Sequence, residues 1–282
     1  MESKKLYARL EKEFIKPGLS DDWAKHMDKV QDYVSESFKK RSKGLVCDNN
    51  SEIKKVYTAV FPTDDLMKKV ISKNEKDTML FVHHPAIWDM SKKEIWQQMS
   101  AKLLGKFKES RISIYNLHVP LDNYGKYSTG MSLAKALDIR AEKPFAKYHG
   151  GFAGIFGKTK CIDVYQLSKK FDNAVGHKTK MYLYGDWEIK NKKVAVVAGG
   201  GNSIDILKEI AYAKINVFVT GITALSDYSE KAHDYAQKHK ISLIGGTHYS
   251  TEKFACIAMA DYFKKLGLKS EFLNGKPGMK DL

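Results

Sequence analysis

Three short segments concentrate side chains able to hold a metal ion. His83 and His84 are adjacent, follow the apolar run TMLFV (78–82) and precede Pro85. Successive side chains of a strand point to opposite faces, so neighbouring imidazoles can share a site only where the pleat ends, as the Pro85-Ala86-Ile87 turn allows. His118-Val-Pro-Leu-Asp122 follows the apolar run ISIYNL (112–117). Pro120 predicts a loop there, turning an imidazole and a carboxylate toward one crevice. His248-Tyr-Ser-Thr-Glu252 follows ISLIGG (241–246). With Thr247 or a neighbour as cap, His248 and Glu252 stand one turn apart on one helical face, an i,i+4 pair able to grip one ion. Each segment alone has a plainer reading: hydrogen-bonded structural histidines, a capping or turn role for Asp122, a surface His–Glu pair.

Taken together the segments point further. Each ends a strand pattern, and in an open parallel sheet ligands bind outside the carboxyl ends of the strands. Four of the nine histidines fall in them, while His26, His149, His177, His233 and His239 lack such a setting and read as surface or structural residues. Imidazole and carboxylate donors without thiolate suit zinc, manganese, iron, cobalt or nickel, and a carboxylate such as Glu252 can bridge two ions.

The elements that must position these residues alternate along the chain. VYTAVF (56–61), TMLFV, ISIYNL, VAVVAG (194–199), INVFVT (215–220) and ISLIGG read as strands. Helical patterns lie between most of them: DDLMKKVISK (64–73), SKKEIWQQMSAKLLGKFK (91–108), GGNSIDILKEIAYAK (200–214) and DYSEKAHDYAQKHK (227–240). That order predicts an α/β fold of two lobes with mixed, largely parallel sheets flanked by helices, and a metal site at the strand C-terminal ends between the lobes. The glycine-rich stretch from about Pro144 to Lys160 reads as irregular and as the lobe boundary, with a second crossing near Gly245-Gly246. The first lobe is then 1–143 plus 247–282, closed by the helical segment STEKFACIAMADYFKKLGLK (250–269), and the second is 144–246.

Composition narrows the classes of function. Hydrophobic content of 43% and charged content of 29% are those of a globular protein. The amino-terminal MESKKLYARLEKEFIKPGL is a charged helical pattern without the apolar stretch of a signal peptide, and no run approaches a membrane span, so a cytoplasmic location is expected. Cys47, Cys161 and Cys256 are odd in number and far apart, which fits a reducing compartment. The net charge of +15 invites a nucleic-acid reading, but only Arg9, Arg41, Arg111 and Arg140 are arginine and the lysines form no block. A solvated basic surface that draws in small anionic substrates is the better reading.

The same segments carry a resemblance. HHPAIWD (83–89), HVPLD (118–122) and GGTHYSTEKFA (245–255) resemble the metal motifs of the NIF3-like family, also called GTP cyclohydrolase I type 2 homologues. VAVVAGGGNS and INVFVTG resemble that family's strand-and-glycine turns, so the likeness runs from about Val56 to Gly267. The resemblance implies that His84 and Asp122 hold one metal, His83 and His248 the other, with Glu252 touching both and His118 as an outer or extra ligand. It also implies a ring-shaped homohexamer. Two positions depart from the family pattern: Ile222 stands where an acidic residue usually follows Thr-Gly, and Val119-Pro120 replace a Thr and a polar residue. The first 50 residues carry no resemblance.

The expected activity is metal-dependent hydrolysis, with a water or hydroxide between two divalent ions and His118 or Tyr249 moving a proton. The alternative is a protein that handles metal or cofactor without turnover. Gly199-Gly200-Gly201-Asn-Ser reads as a tight structural turn; Ile204 occupies the third glycine position of a dinucleotide fingerprint. Gly157-Lys158-Thr159 lacks the first glycine of a P-loop, which falls on Phe152.

Overall fold

The computed structural model describes residues 1–227 and 229–282. The chain divides into two compact units, residues 1–121 with 256–276 and residues 122–255 with 277–282. Strands form within two residues of each end expected from the sequence.

In the first unit the sheet runs Gly44–Cys47, Ile112–Asn116, Thr78–Val82, Lys55–Ala59, Lys269–Phe272. Every pairing is parallel except that of the Gly44–Cys47 edge. Thr78–Val82 and Ile112–Asn116 are buried at every position, as strands covered on both faces must be. The covering helices follow from their apolar stripes. Asp64–Ser72 buries Leu66, Met67 and Val70, starts at a Thr63 side chain that accepts from Leu66 N–H, and places Asp64 and Asp65 at its positive end. Ala101–Glu109 buries Leu103, Leu104 and Phe107. The helix expected from Ser91 begins only at Ala101; upstream, Ile87–Trp88 and Trp96–Gln97 pair as a small antiparallel hairpin. There Trp96 packs at 4.7 Å from Trp23 and 4.9 Å from Trp88, aromatic contacts that outweigh the local helical pattern.

In the second unit the sheet runs Arg140–Tyr148, Gly151–Lys158, Lys193–Val197, Val217–Thr220, Ser242–Gly245, Lys180–Tyr182. Its three central strands are parallel and its flanks antiparallel. The stretch from Pro144 to Lys160, expected to be irregular, is mostly β-hairpin, turning through His149 and Gly150 at positive φ. Glycine hid the strand pattern: a Cβ on Gly154 would stand 2.5 Å from the Phe145 ring, so close packing, not looseness, selects glycine there.

The units part at 121/122 and 255/256, whereas the sequence suggested 143/144 and 246/247. Helix Thr129–Ala136 packs on Gly151–Lys158 and Lys193–Val197, and Leu133, Leu137 and Ile139 join the core of the second unit. Helix His248–Lys265 belongs to both: Phe254 packs on the second core and Phe263 against Phe81 in the first. The helix expected over 227–240 is found at Glu230–Lys238, and Tyr228 lies outside the described residues. No helix is long and apolar enough to cross a membrane, among the described residues.

Candidate metal centre

In the first unit His83 and His84 follow the last residue of their strand, Val82, and their amides donate to Ala59 O at 3.1 Å and Val60 O at 2.9 Å. The rings, both buried, lie side by side with centroids 4.3 Å apart at 70°. His83 Nδ1 is 2.9 Å from Leu117 O. A carbonyl only accepts, so His83 donates from Nδ1, and in the neutral ring Nε2 keeps the lone pair. His84 is set among aromatic rings: Phe61 stacks at 4.9 Å, Trp96 tilts at 4.9 Å and Trp23 meets it edge-on at 5.7 Å.

His118 closes the group, its ring 5.4 Å from that of His83 and 4.7 Å from that of His84. One ligand-capable atom from each of the three lies within 4.8 Å of the others, so this buried group could hold a metal ion. The segment after His118 is a single helical turn, Val119–Asp122, where a loop was expected from Pro120. The reason is positional: proline near the start of a helix has no intrahelical N–H bond to lose. Asp21 anchors the turn, accepting from Val119 N–H at 3.1 Å, and lies 3.1 Å from His118 Nδ1. The family resemblance assigns no role to the first 50 residues. Asp21 and Trp23 nevertheless support the histidine group, and no local spacing could have joined Asp21 to a residue 97 positions on.

In the second unit His248 opens the helix that follows strand Ser242–Gly245. Thr247 caps it as the sequence suggested: its hydroxyl accepts from Ser250 N–H at 3.0 Å while its own N–H donates to the Ser250 hydroxyl at 2.9 Å. Asp281 adds a carboxylate to the same end, accepting from His248 N–H at 2.7 Å. One turn on, Glu252 Oε1 is 3.1 Å from His248 Nε2, and both side chains are buried. Gly199 makes room for them. Its φ is +70°, and a Cβ there would fall 2.2 Å from Glu252 Oε1 and 3.2 Å from His248 Cδ2. The glycine turn therefore leaves room for the His248–Glu252 pair, which the sequence alone did not reveal. Thr251 ties it down by accepting from Gly199 N–H at 2.9 Å. Asp122 is buried and accepts from the Thr129 hydroxyl at 2.8 Å.

His233 shows what a purely structural buried histidine looks like. Nε2 lies 3.1 Å from Thr223 O and Nδ1 2.7 Å from the Tyr184 hydroxyl, so both nitrogens are engaged by the protein. Burial pushes its pKa below the ordinary value, partly opposed by the bond to Thr223.

The family model for DUF34/NIF3 (NGG1p interacting factor 3) matches residues 22–276. The chain belongs to the DUF34/NIF3 family. All six residues singled out above, from His83 to Glu252, lie inside the DUF34/NIF3 match, and Asp21 lies one residue before it. A GTP cyclohydrolase 1 type 2 homolog of Pyrococcus horikoshii is 29% identical over 246 residues, covering 85% of this chain and 92% of that protein. One of Haemophilus influenzae is 26% identical over 248 residues, covering 87% and 91%. Among solved structures, ybgI, a structural-genomics protein of unknown function, superposes with a TM-score of 0.77 at 18% identity, covering 98% of this chain and 100% of that one. Reduced HcgD from Methanocaldococcus jannaschii superposes at 0.69 with 23% identity, covering 98% of each. Both structures share the fold of this chain.

Proposed function

We propose that this DUF34/NIF3 protein is a metal-dependent hydrolase that binds two divalent ions, one through His84 and Asp122, the other through His83 and His248, with Glu252 on both. The observation that carries the reading is the chemistry of the buried donors. Imidazoles and carboxylates are costly to bury without compensation. Here His83, His84 and His118 converge, while Gly199 gives up its side chain to the His248–Glu252 pair. The donors are nitrogen and oxygen, whereas the thiols of Cys47, Cys161 and Cys256 fall in no such group among the described residues. That set suits zinc, manganese, iron, cobalt or nickel.

Bound divalent ions would supply Lewis acidity and lower the pKa of water from ~15.7 toward ~7. The chain's own residues prepare the place. Phe61, Trp23 and Trp96 wall His84 from solvent, Leu117 fixes the tautomer of His83, and His118 or Tyr249 moves the proton. The net charge of +15 favours small anionic substrates, and the name of the curated relatives puts GTP first among those to try. By the family resemblance the working form is a homohexamer, and the buried cysteines, which form no disulfide among the described residues, support a cytoplasmic setting.

The experiment is a hydrolysis screen of metal-loaded protein against GTP, other nucleotides, phosphoesters and peptides, with Glu252→Gln as control. Turnover in the parent that Glu252→Gln abolishes supports the reading. Metal-loaded parent that hydrolyses nothing removes the enzymatic part and leaves metal or cofactor handling.

A further inference from the structure

His118 is held more firmly than a simple surface proton shuttle requires. Its Nδ1 lies 3.1 and 3.2 Å from the two carboxylate oxygens of Asp21. The Asp21 side chain is only 2% exposed, and it also accepts from Val119 N–H, the residue next to His118. Burying a carboxylate costs several kcal/mol unless donors compensate; Asp22 N–H donates to Oδ1 at 3.1 Å, and the other two donors come from one dipeptide, His118-Val119. A carboxylate accepts and has no proton to give, so the Asp21–His118 bond puts a proton on Nδ1 and, in the neutral ring, the lone pair on Nε2. Trp23, two residues on, sets its ring edge-on to His118 at 5.1 Å and to His84 at 5.7 Å. The same segment thus fixes both the tautomer and the ring plane, beside a ligand-capable cluster with His83 and His84.

We propose that Asp21 is a positioning residue: it holds His118 as the Nδ1–H tautomer and turns Nε2 toward His83 and His84, so that an oriented proton acceptor stands beside the ion-binding imidazoles. A carboxylate behind an imidazole fixes its tautomer and its direction. The inference rests on the metal-binding reading of His83 and His84, but its own content, the state and direction of His118, can be read separately.

The test is long-range proton–nitrogen correlation spectroscopy on protein labelled with nitrogen-15 histidine, at about pH 8, where an ordinary histidine is neutral. Parent and Asp21→Asn are compared with and without zinc, with zinc counted per chain and His118→Gln identifying the resonance. The parent is expected to show Nδ1–H and a bare Nε2 at His118. In Asp21→Asn the amide can donate to Nδ1 while its oxygen still accepts from Val119, so the tautomer should switch to Nε2–H with zinc content unchanged. An Nε2–H tautomer in the parent, an unchanged tautomer in Asp21→Asn, or zinc loss as deep as in His84→Ala would each overturn the proposal. Should Asp21→Asn not fold, the parent spectrum and Asp21→Glu, which must keep Nδ1–H, decide it. A parent that binds no zinc overturns the metal reading, while the metal-free spectrum still judges Asp21.

Discussion

The two units assemble their donor groups in opposite ways. In the first, three imidazoles come from the ends of two adjacent parallel strands, and their support comes from Asp21 and Trp23, far away in sequence. In the second, His248 and Glu252 are four residues apart on one helix, and the outside contribution is the space left by Gly199. A site built on local helical spacing depends on clearance; a site built across strands depends on orientation. Substitutions should separate the two dependencies.

The largest effect is expected at Gly199. Gly199→Ala places a methyl against Glu252 Oε1 in a positive-φ backbone, so metal binding at the His248–Glu252 pair should fall at least about tenfold and stability by about 1–3 kcal/mol. Gly18→Ala is the control, with φ +84° and no atom within 4 Å of the added Cβ; it should cost about 1 kcal/mol and leave metal binding intact. Urea titration and calorimetric cobalt binding read both. Equal effects would mean that clearance around Glu252 does not matter.

An intermediate effect is expected at the aromatic wall of the first unit. Trp96 and Trp23 lie 4.9 and 5.7 Å from His84, so cobalt or nickel bound there should quench tryptophan fluorescence. Trp96→Phe should remove a clear share of the quenching and Trp187→Phe, an exposed position, almost none. The reverse order would move the ion away from His84.

The smallest effect contrasts His233 with the clustered histidines. Its pKa is lowered by burial, so its contribution to stability is complete above the unfolded value of about 6.5 and is lost as pH falls through the folded value. Metal-free parent should therefore lose more stability on going from about pH 7 to about pH 5 than His233→Gln does, by urea titration. Identical pH slopes would contradict a neutral, structural His233.

The same contrast explains what could be read from the chain alone. Strand ends were visible because parallel strands are apolar throughout, and the His248–Glu252 grip because four residues make one helical turn. The paired histidines were visible because adjacency at a strand end is unusual. What escaped was set by packing between distant segments: the Trp96 hairpin, the Arg140–Lys158 hairpin disguised by glycines, the clearance at Gly199 and the reach of Asp21. Pro120 misled because its effect depends on position within a turn, which periodicity does not reveal.

Elemental analysis of protein purified without chelator tests whether two divalent ions sit on His83, His84, Asp122, His248 and Glu252. About two ions per chain are expected in the parent, with loss of metal in both His84→Ala and Glu252→Gln. A parent that arrives without metal and takes up none when zinc, manganese or iron is added would contradict the two-ion assignment.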